Sequence, residues 1–397
     1  MGYQRALESP RSPFGTWYSP RVDDEITQAV MSRQEIARYL RGGPGLTPDQ
    51  AQERISAYLE ELRTTQRYSV YRNLKHPLYP ILRKVLRHPE QVEEIRAATR
   101  SNRVVYASNH KSHIDYLVEL LVLDENGIRP PVIAAGINLF NGAMGFLNRH
   151  VTGAIPIRRN SRDPAYLATL RAYVAEIVHR HDLFLYLEGG RSYSGEFKSL
   201  KTGLLQAVMH ARHPDAVIVP VAIAYDLVLE DQTLAHQGVK RRQRPFTAEV
   251  AEMVRYAVGY ESRAFVTFGQ PIPLEKADPE SRRDLVTLTR HTRDAIGKLY
   301  KVLPTALLSA ALRPSMHRQD LQDRIDQLLD ALRLVNANLD VESGRDAVDR
   351  ATEPLATRGI IVVEGARYRV RDRQVLRYYG RSLRHLLRDR GGSNLTH

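Results

Sequence analysis

Apolar positions change their spacing twice along the chain. Over residues 22–41 and 47–73 they recur at helical intervals, and each stretch is expected to form a helix. The second opens with Thr47 as N-cap and Pro48 at the first helical position, where a missing N–H costs nothing. It carries Ile55, Leu59 and Leu62 on one face. From about residue 78 the helical period gives way to short apolar runs at 104–107, 132–135, 154–157, 183–187, 217–224 and 264–268, the length of buried strands. Amphipathic stretches over 163–179 and 200–211 lie between them. This alternation predicts an α/β domain whose mixed, largely parallel central sheet is flanked by helices. Beyond about 300 the helical spacing returns with Leu321, Ile325, Leu328 and Leu332, and a small hairpin over 360–370, turning at Glu364-Gly365, precedes a basic final helix. The expected organisation is an N-terminal helical region over 1–77, the α/β domain over 78–300 and a C-terminal helical region over 301–397, with no internal repeat.

Composition narrows this picture. The absence of Cys excludes disulfides, thiolate metal sites and cysteine nucleophiles. The first residues lack the apolar centre of a secretory leader and read as an exposed arm, and the tail from 391 reads as a disordered end. The longest uncharged run, 130–148, holds two Pro, three Gly and three Asn, which argues against a membrane span. A net charge of +13 suits phosphorylated substrates, anionic headgroups, acidic proteins or nucleic acid. Ten Arg against three acidic residues fall within 357–390, so the final helix is basic and amphipathic. That pattern fits an anionic membrane surface, a helix packed on its own domain, or a winged nucleic-acid module.

Four places along the chain carry candidate chemistry. His110 follows an apolar strand and Asp115 begins a helix. Five residues of ideal helix would put them on different faces, but a turn-borne His and a first-turn Asp can meet. The carboxylate would then orient one imidazole nitrogen while the other takes a proton from an attacking hydroxyl. A helix cap beside a surface His, or a metal pair of His110 with His113, is open to the same residues. Glu188-Gly189-Gly190-Arg191-Ser192 follows another strand, where glycines permit close backbone approach and Arg191 can grip a phosphate. Gly153 to Arg159 is a short strand ending in Arg158 and Arg159. Pro220 interrupts an apolar strand, so an edge, bulge or strand start is expected there.

In this order, the His110–Asp115 pair, Gly153 to Arg159, Glu188 to Arg191 and the apolar run around Pro220 resemble the motifs of the glycerolipid acyltransferases. Ile133 to Leu139, the Arg158-Arg159 pair, Lys201-Thr202-Gly203 and Leu376-Arg377-Tyr378-Tyr379 look like the membrane-associated glycerol-3-phosphate 1-O-acyltransferase branch. The resemblance is strongest over 70–300, and the chain is short beside that branch's longest members. It implies transfer of an acyl group from acyl-CoA or acyl carrier protein to the sn-1 hydroxyl of glycerol-3-phosphate, at the cytoplasmic face of the membrane, with no other cofactor and no nucleic acid. In that reading His110 is the general base and Asp115 its orienter. Arg159 and Arg191 hold the phosphate, Arg158 and Lys201 assist, Glu188 positions glycerol hydroxyls, and Gly189, Gly190 and Pro220 shape the pocket. Pro156 departs from the aromatic residue usual in the family. Acylation of dihydroxyacetone phosphate or of 1-acyl-glycerol-3-phosphate, and a non-catalytic lipid- or nucleic-acid-binding role, are the rival expectations.

Overall fold

A computed structural model describes residues 20–42, 45–64, 82–137, 140, 145, 148–150, 152–240 and 261–387. The expected exposed start and disordered tail fall mostly or wholly outside these residues. Eleven strands are described: β1 (Val85–Glu90), β2 (Arg103–Ser108), β3 (Val132–Gly136), β4 (Ala154–Ile157), β5 (Leu183–Tyr186), β6 (Ala216–Tyr225), β7 (Ser262–Phe268), β8 (Ile272–Pro273), β9 (Ser315–His317), β10 (Ile361–Glu364) and β11 (Arg367–Val370). The first eight form one sheet in the order β1-β7-β6-β2-β5-β3-β4, with β8 beside β6. Strands β6, β2, β5, β3 and β4 run parallel, and β7 and β8 pair antiparallel to β6. The central sheet is therefore mixed and largely parallel.

Alternation along β2 shows how this sheet divides two cores. Val104 and Tyr106 enter one apolar cluster and Val105 and Ala107 the other, because successive side chains leave a strand on opposite faces. One cluster is covered by helices α1 (Pro20–Ser32), α2 (Gln34–Gly42), α3 (Pro48–Leu62), α6 (Pro164–Arg180), α7 (Gly203–Met209) and α9 (Arg282–Leu299). The other is covered by α4 (Val92–Ser101), α5 (Asp115–Glu125), α8 (Asp231–Lys240), α10 (Pro304–Ala311), α11 (Arg318–Arg333), α12 (Gly344–Thr357) and α13 (Arg373–Arg381). The C-terminal helices thus share a core with the sheet. Strands β9, β10 and β11 form a separate antiparallel sheet, and a short α14 (Arg384–Leu387) follows α13.

Local chemistry sets the element ends. Thr47 and Gln50 make a reciprocal capping box at α3, and Asp163 caps α6 by accepting from the Ala165 amide. The single helix expected over 22–41 is two, broken at Arg33, whose guanidinium donates to Glu176 on α6 at 2.6 Å. Helix α3 ends at Leu62, where Arg63 turns to an extended ψ of 130°, and the expected stretch 65–73 lies outside the described residues. Within the uncharged run 130–148, Val132–Gly136 is strand β3, and among the described residues no helix is long and apolar enough to cross a membrane.

Pro220 corrects the expectation of an edge or strand start. It lies inside β6, buried between neighbours, with Ala107 of β2 opposite it. On the other side β8 pairs only with Val217 and Ile218, while β7 begins at Val221. Gly269, in the turn between β7 and β8, donates its N–H to the Pro220 carbonyl at 2.8 Å. The N–H and carbonyl of one strand residue face the same side, so the N–H that proline lacks would point into this gap between partners.

Candidate active site

Parallel strands deliver their C-terminal loops to one end of the sheet, and three of these loops converge. The first follows β2. Asn109 extends the pairing with β6 through its side chain, donating to the Ile223 carbonyl at 2.9 Å and accepting from the Ile223 N–H at 2.7 Å. This fixes His110 at the mouth. Its Nδ1 lies 2.9 Å from Asp115 Oδ2, the turn-and-first-helical-turn meeting that the sequence spacing allows.

Asp115 is fully buried and saturated. Its Oδ2 also accepts from the Lys111 N–H at 2.6 Å and the Ser112 N–H at 2.9 Å, and its Oδ1 accepts from the Tyr225 hydroxyl at 2.8 Å. A carboxylate held this way fixes the ring that it touches, and leaves His110 Nε2 as the nitrogen available to a hydroxyl. The imidazole stacks on Tyr186, with ring centroids 4.5 Å apart. Burial holds the His110 pKa below its ordinary value. Asp115 opposes that shift, while Arg191 and Arg159 reinforce it. The ring is therefore neutral near pH 7 and able to act as a base.

Below this pair lies a buried acid that the sequence reading did not single out. Glu119, one turn after Asp115, accepts from Ser108 Oγ at 2.7 Å and from the Tyr186 hydroxyl. Burial, then the neighbouring Asp115 charge, pushes its carboxyl well above the usual range. It anchors the hydroxyl of the ring against which His110 stacks.

The second loop follows β5. Glu188 is buried, and its two carboxylate oxygens accept from the His110 N–H and the Lys198 N–H, each at 2.9 Å. Glu188 thus ties two loop backbones together. Gly189 and Gly190 take φ of +70° and +152°, and the stem of Lys201 lies over Gly189. A Cβ on Gly190 would stand 3.4 Å from Arg159 Nη1, so this glycine lets Arg159 lie across the loop. Arg191 is buried, with Nη1 3.3 Å from Glu230 Oε1. Glu230 in turn accepts from Ser112 Oγ and from the His113 N–H. Arg191 is thereby locked to the His110 loop by a carboxylate 39 residues away in sequence, a partner that no local motif announces.

The third loop follows β4 and separates the two arginines. Adjacent residues on extended backbone point oppositely. Arg159 crosses Gly190, whereas Arg158 turns to α3, where Nε donates to Glu61 at 2.6 Å and the guanidinium lies over Tyr58 and Tyr166. Arg158 therefore leaves the candidate set, and Pro220, held in the sheet interior, is not among the groups contacting His110. Lys198, which the sequence reading passed over, enters: its Nζ donates to the Gly190 carbonyl at 2.6 Å and to that of Arg191 at 3.2 Å.

A buried, carboxylate-oriented imidazole facing two arginines can deprotonate a hydroxyl on a phosphorylated acceptor. Residues 88–224, which span all three loops, match the family model described as Acyltransferase. Residues 88–224 are thus similar to an acyltransferase domain. A glycerol-3-phosphate acyltransferase of Aeromonas hydrophila is 29% identical over 387 residues, covering 88% of this chain and 47% of its own length. One of Actinobacillus succinogenes is 33% identical over 243 residues, 58% of this chain and 30% of its own. The chain spans less than half the length of these relatives. The 1-acyl-sn-glycerophosphate acyltransferase of Thermotoga maritima gives a TM-score of 0.34 at 12% identity, covering 70% of this chain and 86% of that one, which adds nothing to the topology seen directly. All four candidate motifs, from His110 through Pro220, lie inside the matched residues.

Proposed function

We propose that the chain transfers a fatty acyl group from acyl-CoA or acyl carrier protein to the sn-1 hydroxyl of glycerol-3-phosphate, giving 1-acyl-glycerol-3-phosphate. The observation that carries this reading is the His110–Asp115 contact with Arg159 and Arg191 close enough to act on the imidazole. The names of the Aeromonas and Actinobacillus relatives support the acceptor. His110 Nε2 takes the proton of the sn-1 hydroxyl as its oxygen attacks the thioester carbonyl. Collapse of the tetrahedral intermediate breaks the C–S bond, and the imidazolium returns the proton to the departing thiolate. Asp115 holds the ring and stabilises its charged form in between. Arg159 and Arg191 bind the acceptor phosphate, with Lys201 at the rim. The thioester is already activated, so the step as written needs no further cofactor.

The acyl product belongs in a bilayer, and we place the protein peripherally at the cytoplasmic face of an anionic membrane. The excess of arginine in 357–390 supports that placement. The test is a panel of acceptors, namely glycerol-3-phosphate, dihydroxyacetone phosphate and 1-acyl-glycerol-3-phosphate, offered with palmitoyl thioesters in the presence of vesicles. Glycerol-3-phosphate is expected to be the acylated one. Transfer confined to either of the others overturns the assignment of the acceptor.

A further inference from the structure

The C-terminal helix α13 is docked on the active-site loop, and the contact builds a second basic cavity. Gly195, at φ +81°, lies directly under the Tyr378 carbonyl, and Lys111 Nζ donates to the Gly195 carbonyl at 2.9 Å. The Tyr379 hydroxyl donates to Asp231 at 2.6 Å, and Arg384 pairs with Glu196 at 2.5 Å. Between helix and loop lies a cleft of about 510 Å³ whose lining includes Arg191, Lys198, Arg377, Arg381, Tyr193 and Tyr378. Arg377 and Arg381 stand one turn apart on α13, and neither forms a salt bridge among the described residues. Arg191 is shared with the site beside His110, but Arg159 and His110 do not line the cleft. Arg191 therefore lies between Arg159, which crosses Gly190, and the cleft under α13.

We propose that the α13 side seats the phosphate ester of the acyl donor's pantetheine arm, the group that coenzyme A and acyl carrier protein have in common. This rests on the acyl-transfer reading of the site. The acceptor carries one phosphate, which Arg159 and Arg191 meet next to His110. The donor must place its thioester at the same His110 and lead its arm outward, and a cavity of this size suits such a stem. Tyr193 and Tyr378 offer it apolar walls, and Arg377 and Arg381 supply charge-assisted donors to a phosphate.

The test combines calorimetry on the full chain, using coenzyme A, phosphopantetheine and pantetheine, with steady-state kinetics of wild type and an Arg377→Gln/Arg381→Gln variant. Both positions are on the helix surface facing the cleft, and unchanged thermal unfolding verifies the variant's fold. Loss of the two charged contacts is expected to weaken coenzyme A and phosphopantetheine binding roughly tenfold or more. The KM for palmitoyl-CoA should rise by the same factor, while the KM for glycerol-3-phosphate and for phosphate-free palmitoyl-pantetheine stays put. Unchanged donor binding overturns the proposal, as does a loss confined to the acceptor. A loss seen for coenzyme A but not for phosphopantetheine also overturns it, by moving the contact to the nucleotide. Arginine-dependent binding of phosphopantetheine by a wild-type protein that transfers no acyl group would sustain this cleft and refute the proposed reaction instead.

Discussion

At the scale of single residues, the site depends on how two acids sharing one buried neighbourhood divide their tasks. Asp115 is surrounded by two backbone amides, a tyrosine hydroxyl and the His110 ring, and so serves to hold that ring in place. Burial, and then the Asp115 charge, push the carboxyl of Glu119, a turn away, well above the usual carboxylate range. The His110 pKa is displaced downward, so the base stays neutral to lower pH than a free histidine. The acid limb of kcat/KM is accordingly expected below the ordinary histidine value of about 6.5. Removing either arginine relieves a group that disfavours the imidazolium, so Arg191→Gln should move that limb upward while raising the KM for the acceptor. A pH profile of both proteins measures this, and a limb that stays in place or moves down contradicts the electrostatic account. The sequence spacing made the His110–Asp115 meeting legible. It could not show Tyr225 or Glu230, which arrive from more than a hundred residues away. The division of Arg158 from Arg159 was within reach, since alternation on an extended strand already sends neighbours to opposite sides.

Among the elements, legibility followed hydrophobic contrast. Strands such as β5 and β6 are continuous apolar runs buried on both faces and stood out in the sequence. Strand β1, reading Val-Leu-Arg-His-Pro-Glu, has half-exposed and exposed side chains at the edge of the sheet and gave no such signal, although it pairs with β7 over its whole length. Helix α3 ends where the backbone turns extended at Arg63, a break that the apolar spacing does not mark. Pro220 was misjudged because its tolerance depends on a change of partner strand that the sequence around it does not show. The same limit applies to Gly195, whose role is set by a helix nearly two hundred residues later. A Cβ at Gly195 would stand 1.8 Å from the Tyr378 carbonyl oxygen. Gly195→Ala should cost about 1–3 kcal/mol from the positive φ alone, with the steric clash in addition. Denaturant unfolding gives that cost, and acyl transfer should fall with it. Wild-type stability and activity in this variant would show that α13 does not bear on the loop as described.

For the molecule as a whole, the sheet works as a partition. One apolar cluster lies under α1, α2, α3, α6, α7 and α9, and the other continues from the sheet into α10 to α13. The site sits where the parallel strands end, roofed on one side by the C-terminal helices, so those helices belong to the candidate site. The α/β alternation announced the sheet and its parallel character, but the docking of the C-terminal region rests on pairs such as Tyr379 with Asp231 and Arg358 with Asp231, invisible to periodicity. The central claim is that His110 is the base of acyl transfer to glycerol-3-phosphate. Its most direct test is the rate of transfer from palmitoyl-CoA to glycerol-3-phosphate by wild type and His110→Ala, with unfolding measured in parallel. The account predicts a fall of about 10² to 10⁴ in rate with the fold retained. Transfer at the wild-type rate by the folded variant would contradict it.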